Sequence, residues 1–270
     1  MTKIQEESSP MTVKVFTSVV NKPEFLELQA KLLKKFMIND YEFFVIDDAR
    51  DPLTSEQFRM IAEANNITYI KNTSQLPVPF IENDACANAI QWTYDNIICQ
   101  RFPENLIMFI DSDMFPIDYL DVEEYMRDEV FSGQPQHRGH VIYSWNGIMF
   151  MNMKKILSYP TKMDFWCSPD VDGYPCDVGG KTYYFFKENN IDFKYMSISY
   201  PEEILGIDVK NIPYPFEYHL LDGVPKFIHH RAGTNWHRGI VTFPETERTF
   251  EDKAFTFNQI VEKLLVEQDG

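Results

Sequence analysis

Leu106-Ile107-Met108-Phe109-Ile110-Asp111-Ser112-Asp113 is the stretch of the chain that decides the fold. Its apolar run has no helical period, which predicts a strand buried on both faces in the middle of a parallel sheet. Side chains two residues apart on a strand project the same way, so Asp111 and Asp113 can converge on one point beyond the strand end. Carboxylate oxygens suit Mn²⁺ or Mg²⁺. Alternatively, the two aspartates form a turn or cap a helix.

The segments before this strand alternate between two periodicities. β-branched and aromatic residues predict short strands, and apolar residues at helical spacing predict helices between them. The predicted strands are 13–19, 42–46 and 67–70, and the predicted helices are 24–37, 54–66 with a capping box of Thr54 and Gln57, and 83–98. Such alternation predicts an α/β fold with a parallel sheet. The chain has neither GxGxxG after its first strand nor GxxxxGK[ST], so dinucleotide and P-loop sites are not supported.

Composition restricts the partners of the protein. The net charge is −16, which argues against nucleic acid and anionic membranes as partners. The four cysteines form no CxxC pair, so a reducing, cytoplasmic location is expected. No stretch approaches the roughly 20 apolar residues of a membrane span. A phosphate-bearing small substrate remains compatible with this charge if a metal and a few local cations offset the negative field.

The chain is interpreted as one catalytic domain. Residues 1–10 read as a polar leader, and residues 11–270 form the domain, with 11–120 as its nucleotide-binding half. Residues 121–245 contain strands at 141–145 and 147–151 among many aromatics, which predicts a smaller mixed region that builds a pocket over the sheet edge and receives a second substrate. Residues 246–270 predict a C-terminal amphipathic helix.

A second informative stretch runs from Lys226 to Arg238. It places three of the six histidines of the chain, a glycine, a tryptophan and two arginines close together. An imidazole can complete a coordination sphere begun by carboxylates, and arginines can hold a diphosphate. Alternatively, the stretch is a strand end with one packed histidine and solvated cations.

Together, these motifs resemble the GT-A fold of metal-dependent nucleotide-sugar glycosyltransferases, with the glycogenin-like members as the comparison. The resemblance covers most of residues 12–240. It implies a Rossmann-like central sheet, mostly parallel and flanked by helices, with a smaller mixed region on the acceptor side. It also implies that Asp113 ligates the metal and that Asp111 contacts metal and ribose. The family's late histidine stands three residues before a glycine, which selects His230 (with Gly233) over His229.

Two departures limit what the resemblance implies. Gly233 is followed by Thr234-Asn235-Trp236 instead of Lys-Pro-Trp, so the cation for the diphosphate is sought among Arg231, His237 and Arg238. Trp145-Asn146-Gly147 replaces Asn-Ala-Gly, so sugar specificity is not carried over. The remaining candidates for binding the nucleotide sugar are Thr17, Ser18, Val19, Asp47, Asp48, Asp84, Asn88, Ser112, Asn235 and Trp236. Asp47 and Asp48 are also explained as turn-forming acids, and Asp84 as a solvated helix start.

Asp177 is the candidate base for the acceptor hydroxyl, which needs one if the reaction inverts the anomeric centre. Gly179 and Gly180 follow it and permit close approach of the backbone to a ligand. An acidic residue before a helix also recurs at this point in similar enzymes as a sugar-binding group. Asp177 is equally explained as the N-cap of a helix that begins near Lys181.

The expected activity is transfer of a hexosyl or pentosyl group from a nucleoside-diphosphate sugar, with a UDP-sugar favoured, to a hydroxyl group of a glycan, protein or lipid. Two alternatives come from other classes. A haloacid-dehalogenase-like phosphatase also presents Asp-x-Asp after an apolar strand, but on the first strand of its domain. A descendant of the fold that binds sugar without catalysis is the other.

Overall fold

The computed structural model describes residues 12–76, 82–212, 214–231 and 246–266 of the chain. The described strands are β1 (Val13–Val19), β2 (Tyr41–Asp47), β3 (Thr68–Lys71), β4 (Leu106–Asp111), β5 (Met114–Pro116), β6 (Phe131–Arg138), β7 (Val141–Asn152), β8 (Ser168–Val171), β9 (Tyr174–Cys176), β10 (Lys194–Tyr195), β11 (Ser197–Ser199), β12 (Glu203–Ile204), β13 (Ile207–Asp208), β14 (Glu217–Leu221) and β15 (Val224–His229). The helices are α1 (Pro23–Phe36), α2 (Pro52–Ala64), α3 (Glu82–Thr93), α4 (Cys99–Arg101), α5 (Val122–Tyr125), α6 (Met153–Ile156), α7 (Thr182–Asn189) and α8 (Thr246–Val266).

A central sheet organises the described part of the chain, with strand order β10-β6-β7-β4-β1-β2-β3. β1 pairs in parallel with both β2 and β4, whereas β7 is antiparallel to its two neighbours β4 and β6. This architecture confirms the α/β class, with a mostly parallel sheet flanked by helices. In the described residues, no helix is both long enough and apolar enough to cross a membrane.

The predicted burial of the strand before the two aspartates is confirmed. In β4, Met108 and Ile110 pack in one apolar cluster with residues of α1 and α2, while Ile107 and Phe109 pack in another with residues of α3. Both faces of the strand are therefore covered by helices, which explains why its sequence is continuously apolar. Polar side chains that bind a ligand therefore belong at the end of such a strand, where Asp111 and Asp113 stand.

A second, antiparallel sheet lies beside the end of β4, with strand order β11-β14-β15-β5. β5 begins directly after Asp113, and its residue Met114 is paired with His229 at the end of β15. The second sheet thus joins the two informative stretches of the sequence, which are more than 100 residues apart in the chain. Three of its strands, β11, β14 and β15, lie within residues 121–245, whereas the strands that the sequence predicts at 141–145 and 147–151 belong to the central sheet.

Several local predictions differ from the structure. α2 is capped by Asp51, whose carboxylate accepts hydrogen bonds from the backbone of Leu53 and Thr54, instead of by the predicted Thr54 capping box. The helix predicted over 83–98 continues as a π-helical turn, Tyr94–Ile98. The two strands predicted at 141–145 and 147–151 form one long strand, β7, because Gly147 continues the extended backbone beside the Trp145 ring.

Candidate metal and substrate site

A cavity of about 750 Å³ lies at the carboxyl ends of β1, β2 and β4. This is the edge at which ligands bind in parallel α/β sheets. Acidic side chains line it together with amides, one histidine and two arginines. The lining residues used below are Ser18, Asp48, Asp111, Ser112, Asp113, Trp145, Asp177, Glu217, His229 and Arg231. The cavity is large enough for a small-molecule substrate.

Asp111, Asp113 and His229 each bring one ligand atom to a common point, all within 4.8 Å of one another. The pairing of β5 with β15 causes this convergence, since His229 stands opposite Met114, the residue after Asp113. The backbone N–H of His230 also donates to the carbonyl oxygen of Asp113, at 2.9 Å. Two carboxylates and one imidazole form a donor set that fits Mn²⁺ or Mg²⁺.

His229 and His230 face opposite ways because they are adjacent at the end of a strand. Nε2 of His229 lies 3.3 Å from Oδ1 of Asp113. The ring of His230 instead packs against Phe25, Phe216 and Phe257, with ring centroids 4.7 to 5.5 Å apart. The structure therefore corrects the expectation for His230: its imidazole lies in an aromatic pocket, and the imidazole of His229 stands beside the aspartates.

The electrostatics of the cluster favour binding of a dication. Burial by itself lowers the pKa of His229, but the carboxylates of Asp113 and Glu217 outweigh it and raise the pKa to about 9. Burial, followed by the neighbouring Asp113 carboxylate, raises the pKa of Asp111 above its usual range. The imidazole of His229 is therefore protonated at neutral pH, and a cation bound there would displace the proton.

Among the residues predicted to bind the nucleotide sugar, Ser18, Asp48, Asp111, Ser112 and Arg231 line the cavity. The carboxylate of Asp48 accepts a hydrogen bond from the Asn72 amide at 2.8 Å. Burial raises the pKa of Asp48, and the hydrogen bonds from Asn72 and Gln75 oppose this rise. Asp48 is thus a carboxylate held in place at the end of β2.

Other predicted residues lie elsewhere. Val19 belongs to the apolar core, and Thr17 is fully buried within the central sheet. Asp47 is fully buried and accepts hydrogen bonds from Tyr69 at 2.5 Å and Lys71 at 3.0 Å, so it joins β2 to β3. Because neighbouring strand residues face opposite sides, Ser18 and Asp48 reach the cavity while these residues do not.

The two candidates on α3 make contacts outside the cavity lining. Asp84 accepts a hydrogen bond from the thiol of Cys167 at 2.9 Å, and the amide of Asn88 donates to the carbonyl of Ser74 at 2.5 Å. Both side chains therefore connect α3 to neighbouring loops. The remaining candidates, Asn235, Trp236, His237 and Arg238, lie outside the described residues, as does Gly233.

Asp177 lines the cavity, exposed at the turn that follows β9. It is not the N-cap of α7, since Lys181 occupies that position. Gly179 has φ +90°, and a Cβ atom there would lie 2.0 Å from the carbonyl oxygen of Ser144. The sequence predicts that the backbone at Gly179 approaches a ligand closely. In the structure this backbone instead packs against β7, and the turn that carries Asp177 therefore lies against that strand.

Glu217 is the main residue of the cluster that the sequence reasoning missed. It stands directly opposite His229 in the pairing of β14 with β15, and its Oε2 lies 3.0 Å from Nδ1 of His229. Burial raises its pKa, but the hydrogen bond and charge of His229 outweigh burial and lower it overall. The alternation of buried Glu217, His219 and Leu221 along β14 was a pattern that could have revealed it.

The hairpin before Asp177 gives a testable pH dependence. Asp172 occupies its turn with φ 53°, and its carboxylate accepts hydrogen bonds from Lys187 and Tyr183, each at 2.8 Å. The hydrogen bond from Lys187, followed by that from Tyr183, lowers the pKa of Asp172. A lowered pKa stabilises the fold above the unfolded value of 3.8, and this stabilisation is lost as the pH falls through the folded value.

We therefore expect Asp172→Asn to lower the melting temperature by a few degrees at pH 7, since the side chain is exposed and its ion pairs are partly screened. The difference from the unsubstituted protein should shrink as the pH falls below 3.8. Asparagine keeps the left-handed turn, so the change isolates the charge. Thermal melts between pH 7 and pH 3 test this, and a difference that does not vary with pH would contradict it.

No family model matches the chain, and no curated protein matches it significantly. Among solved structures, it is similar to the galactosyltransferase LgtC in complex with donor and acceptor sugar analogues, at 12% identity and a TM-score of 0.38 over 54% of this chain and 60% of that one. It is also similar to the mannosyltransferase PcManGT from Pyrobaculum calidifontis in complex with GDP-Man and Mn²⁺, at 13% identity and a TM-score of 0.42 over 69% of this chain and 55% of that one. At this identity the likeness concerns the fold alone.

Proposed function

We propose that the protein is a metal-dependent glycosyltransferase that moves a sugar from a nucleoside diphosphate to a hydroxyl group. The observation that carries this proposal is the convergence of Asp111, Asp113 and His229 in the lining of the cavity. Mn²⁺ or Mg²⁺ bound there would neutralise the charge that develops on the leaving diphosphate as the sugar–phosphate bond breaks. A hexosyl or pentosyl donor carried on UDP is the substrate we favour.

The residues around this cluster have separate tasks in the proposal. Ser18 and Asp48, at the ends of β1 and β2, face the part of the cavity suited to the nucleoside. Arg231 supplies a guanidinium at the cavity lining, where it can hold phosphate oxygens. Asp177 lies on the same cavity and is exposed, so it is proposed to accept the proton of the attacking hydroxyl.

The alternatives fit the geometry less well. A haloacid-dehalogenase-like phosphatase carries its two aspartates on the first strand, whereas here they follow β4, with β1, β2 and β3 earlier in the chain. A phosphatase of this class would also give no role to His229, whose Nε2 lies 3.3 Å from Oδ1 of Asp113. A sugar-binding descendant without catalysis has no need for a buried cluster of metal-ligand type beside the cavity. The enzyme reading uses all of these features.

The test is calorimetry of the protein with a panel of nucleoside-diphosphate sugars. We expect at least one donor, a UDP-sugar first, to bind in the presence of Mn²⁺ and to lose at least about tenfold in affinity with a chelator, because the cation bridges the diphosphate to the carboxylates. Asp113→Ala should lose binding in the same way. Asp95→Ala, which removes an exposed carboxylate outside the cavity lining, is the matched control.

Product analysis then separates transfer from binding. Incubation of the bound donor with hydroxyl acceptors should release the nucleoside diphosphate and form a glycoside. Absence of binding with every donor, or unchanged activity in Asp113→Ala, would contradict the proposal. Binding without turnover for any acceptor or water would favour the descendant that binds sugar only.

A further inference from the structure

The contact between Glu217 and His229 extends the site beyond its proposed ligands. The two residues stand opposite each other on antiparallel strands, with Oε2 of Glu217 3.0 Å from Nδ1 of His229. Both side chains are buried, at 7% and 6% exposure. The other ring nitrogen of His229, Nε2, lies 3.3 Å from Oδ1 of Asp113. One imidazole is therefore held between two carboxylates, and each nitrogen has its own partner.

We propose that Glu217 is a positioning residue that fixes the tautomer and orientation of His229, and this proposal rests on the proposed metal site. A carboxylate at Nδ1 keeps the proton on that nitrogen, so that a cation which displaces the proton of Nε2 would meet the lone pair of that nitrogen. Histidines that ligate metals commonly donate their second N–H to a carboxylate in this way, which raises their basicity as ligands. Glu217 thus acts on the metal through His229.

The surroundings of Glu217 show why it can hold this position. Its other oxygen, Oε1, accepts a hydrogen bond from the hydroxyl of Tyr200 at 3.0 Å and lies 3.4 Å from Nε of Arg231. The carboxylate is therefore fixed at both oxygens, in a buried place where a charge needs partners. Arg231 also lines the cavity, so Glu217 orients a ligand histidine and a candidate diphosphate cation at once.

His219 offers a competing role for the same carboxylate. Glu217, His219 and His229 also bring ligand atoms within 4.8 Å of one another. Nε2 of His219 is 3.8 Å from Oε2 of Glu217, and both of its ring nitrogens are buried without a hydrogen-bond partner. A second cation bound there would need Nδ1 of His229 without its proton, the opposite of the positioning role. The stoichiometry of metal binding therefore distinguishes the two.

The test compares Glu217→Gln with the unsubstituted protein by Mn²⁺ calorimetry. We expect one ion per chain in both, with affinity reduced by about 10- to 100-fold in the variant, the usual effect of losing such a partner. Tyr200→Phe, which leaves the charge of Glu217 in place, is the matched control, and its reduction should be smaller than that of Glu217→Gln. Melting curves without metal should show both variants folded.

A spectroscopic readout separates positioning from general packing. In the Mg²⁺-bound protein, the ¹⁵N shifts of His229 should report Nε2 on the metal and a protonated Nδ1, and Glu217→Gln should move the Nδ1 resonance, because an amide oxygen accepts that hydrogen bond more weakly than a carboxylate. Unchanged affinity and an unchanged Nδ1 resonance in the variant, or two ions per chain in the unsubstituted protein, would overturn the positioning role while leaving the proposed function standing. If the unsubstituted protein binds no Mn²⁺, both the positioning role and the proposed metal-dependent function are overturned. The calorimetry of the unsubstituted protein reveals that outcome.

Discussion

Replacing His229 with alanine is expected to weaken Mn²⁺ binding by at least about 100-fold, since even a partner that only supports a metal-ligating histidine contributes 10- to 100-fold. Replacing His230 with phenylalanine is expected to leave Mn²⁺ affinity unchanged. The two residues are neighbours in sequence, and the sequence pattern alone favours His230. The structure reverses that order, because Nε2 of His229 lies 3.3 Å from Asp113 and the His230 ring is surrounded by phenylalanines.

Phenylalanine is the suitable replacement at His230. Burial and the positive charge of Lys253 lower the pKa of His230 to about 3, so its ring is neutral at pH 7. Its Nδ1 is buried without a hydrogen-bond partner. An apolar ring of similar size therefore fits this pocket without losing a hydrogen bond from that nitrogen. His229→Phe would be a poor choice, because it would place an apolar ring between two buried carboxylates.

Calorimetry of both variants with Mn²⁺ at pH 7.5 provides the measurement, with urea unfolding in a chelator as the check that each variant folds. Loss of binding in His230→Phe together with retained binding in His229→Ala would contradict the assignment and restore His230 as the ligand. The donor-sugar affinity should follow the metal affinity in both variants, since the proposed cation would join the diphosphate to the protein.

The sequence predicted those parts of the site that depend on local pattern. An uninterrupted apolar run identifies β4, and Asp111 and Asp113 follow at its end. A strand that is buried on both faces can present polar side chains to a ligand only there. The choice between His229 and His230 depends instead on which face of β15 meets β5. That face is set by the register of His229 with Met114, a pairing across more than 100 residues.

Residues with two local explanations were harder to assign. Asp47 and Asp48 follow the same strand, and turn chemistry describes both equally well. The structure separates them, because Asp47 pairs with Lys71 and Tyr69 within the sheet while Asp48 faces the cavity. Glu217 was missed because glutamates are mostly exposed, and only the opposite strand supplies the histidine that makes its burial favourable.

Gly179→Ala is expected to destabilise the fold by about 2 to 5 kcal/mol, the sum of two costs. A non-glycine residue at a left-handed φ costs about 1 to 2 kcal/mol, and overpacking costs a further 1 to 3 kcal/mol. Both apply here, since Gly179 has φ +90° and an added Cβ would lie 2.0 Å from the Ser144 carbonyl oxygen. The backbone of Gly179 also binds Phe165 and Thr182, which leaves it little freedom to move away.

Gly173 provides the matched control for this substitution. It has the same φ of +90°, but no heavy atom lies within 4 Å of its added Cβ. Gly173→Ala should therefore cost only the backbone term of about 1 to 2 kcal/mol. Urea unfolding of both variants gives the comparison, and equal losses would show that contact with β7 contributes nothing. Because Asp177 is two residues before Gly179, we also expect Gly179→Ala to reduce transfer to the acceptor more than it reduces Mn²⁺ binding, whose ligands lie on β4 and β15.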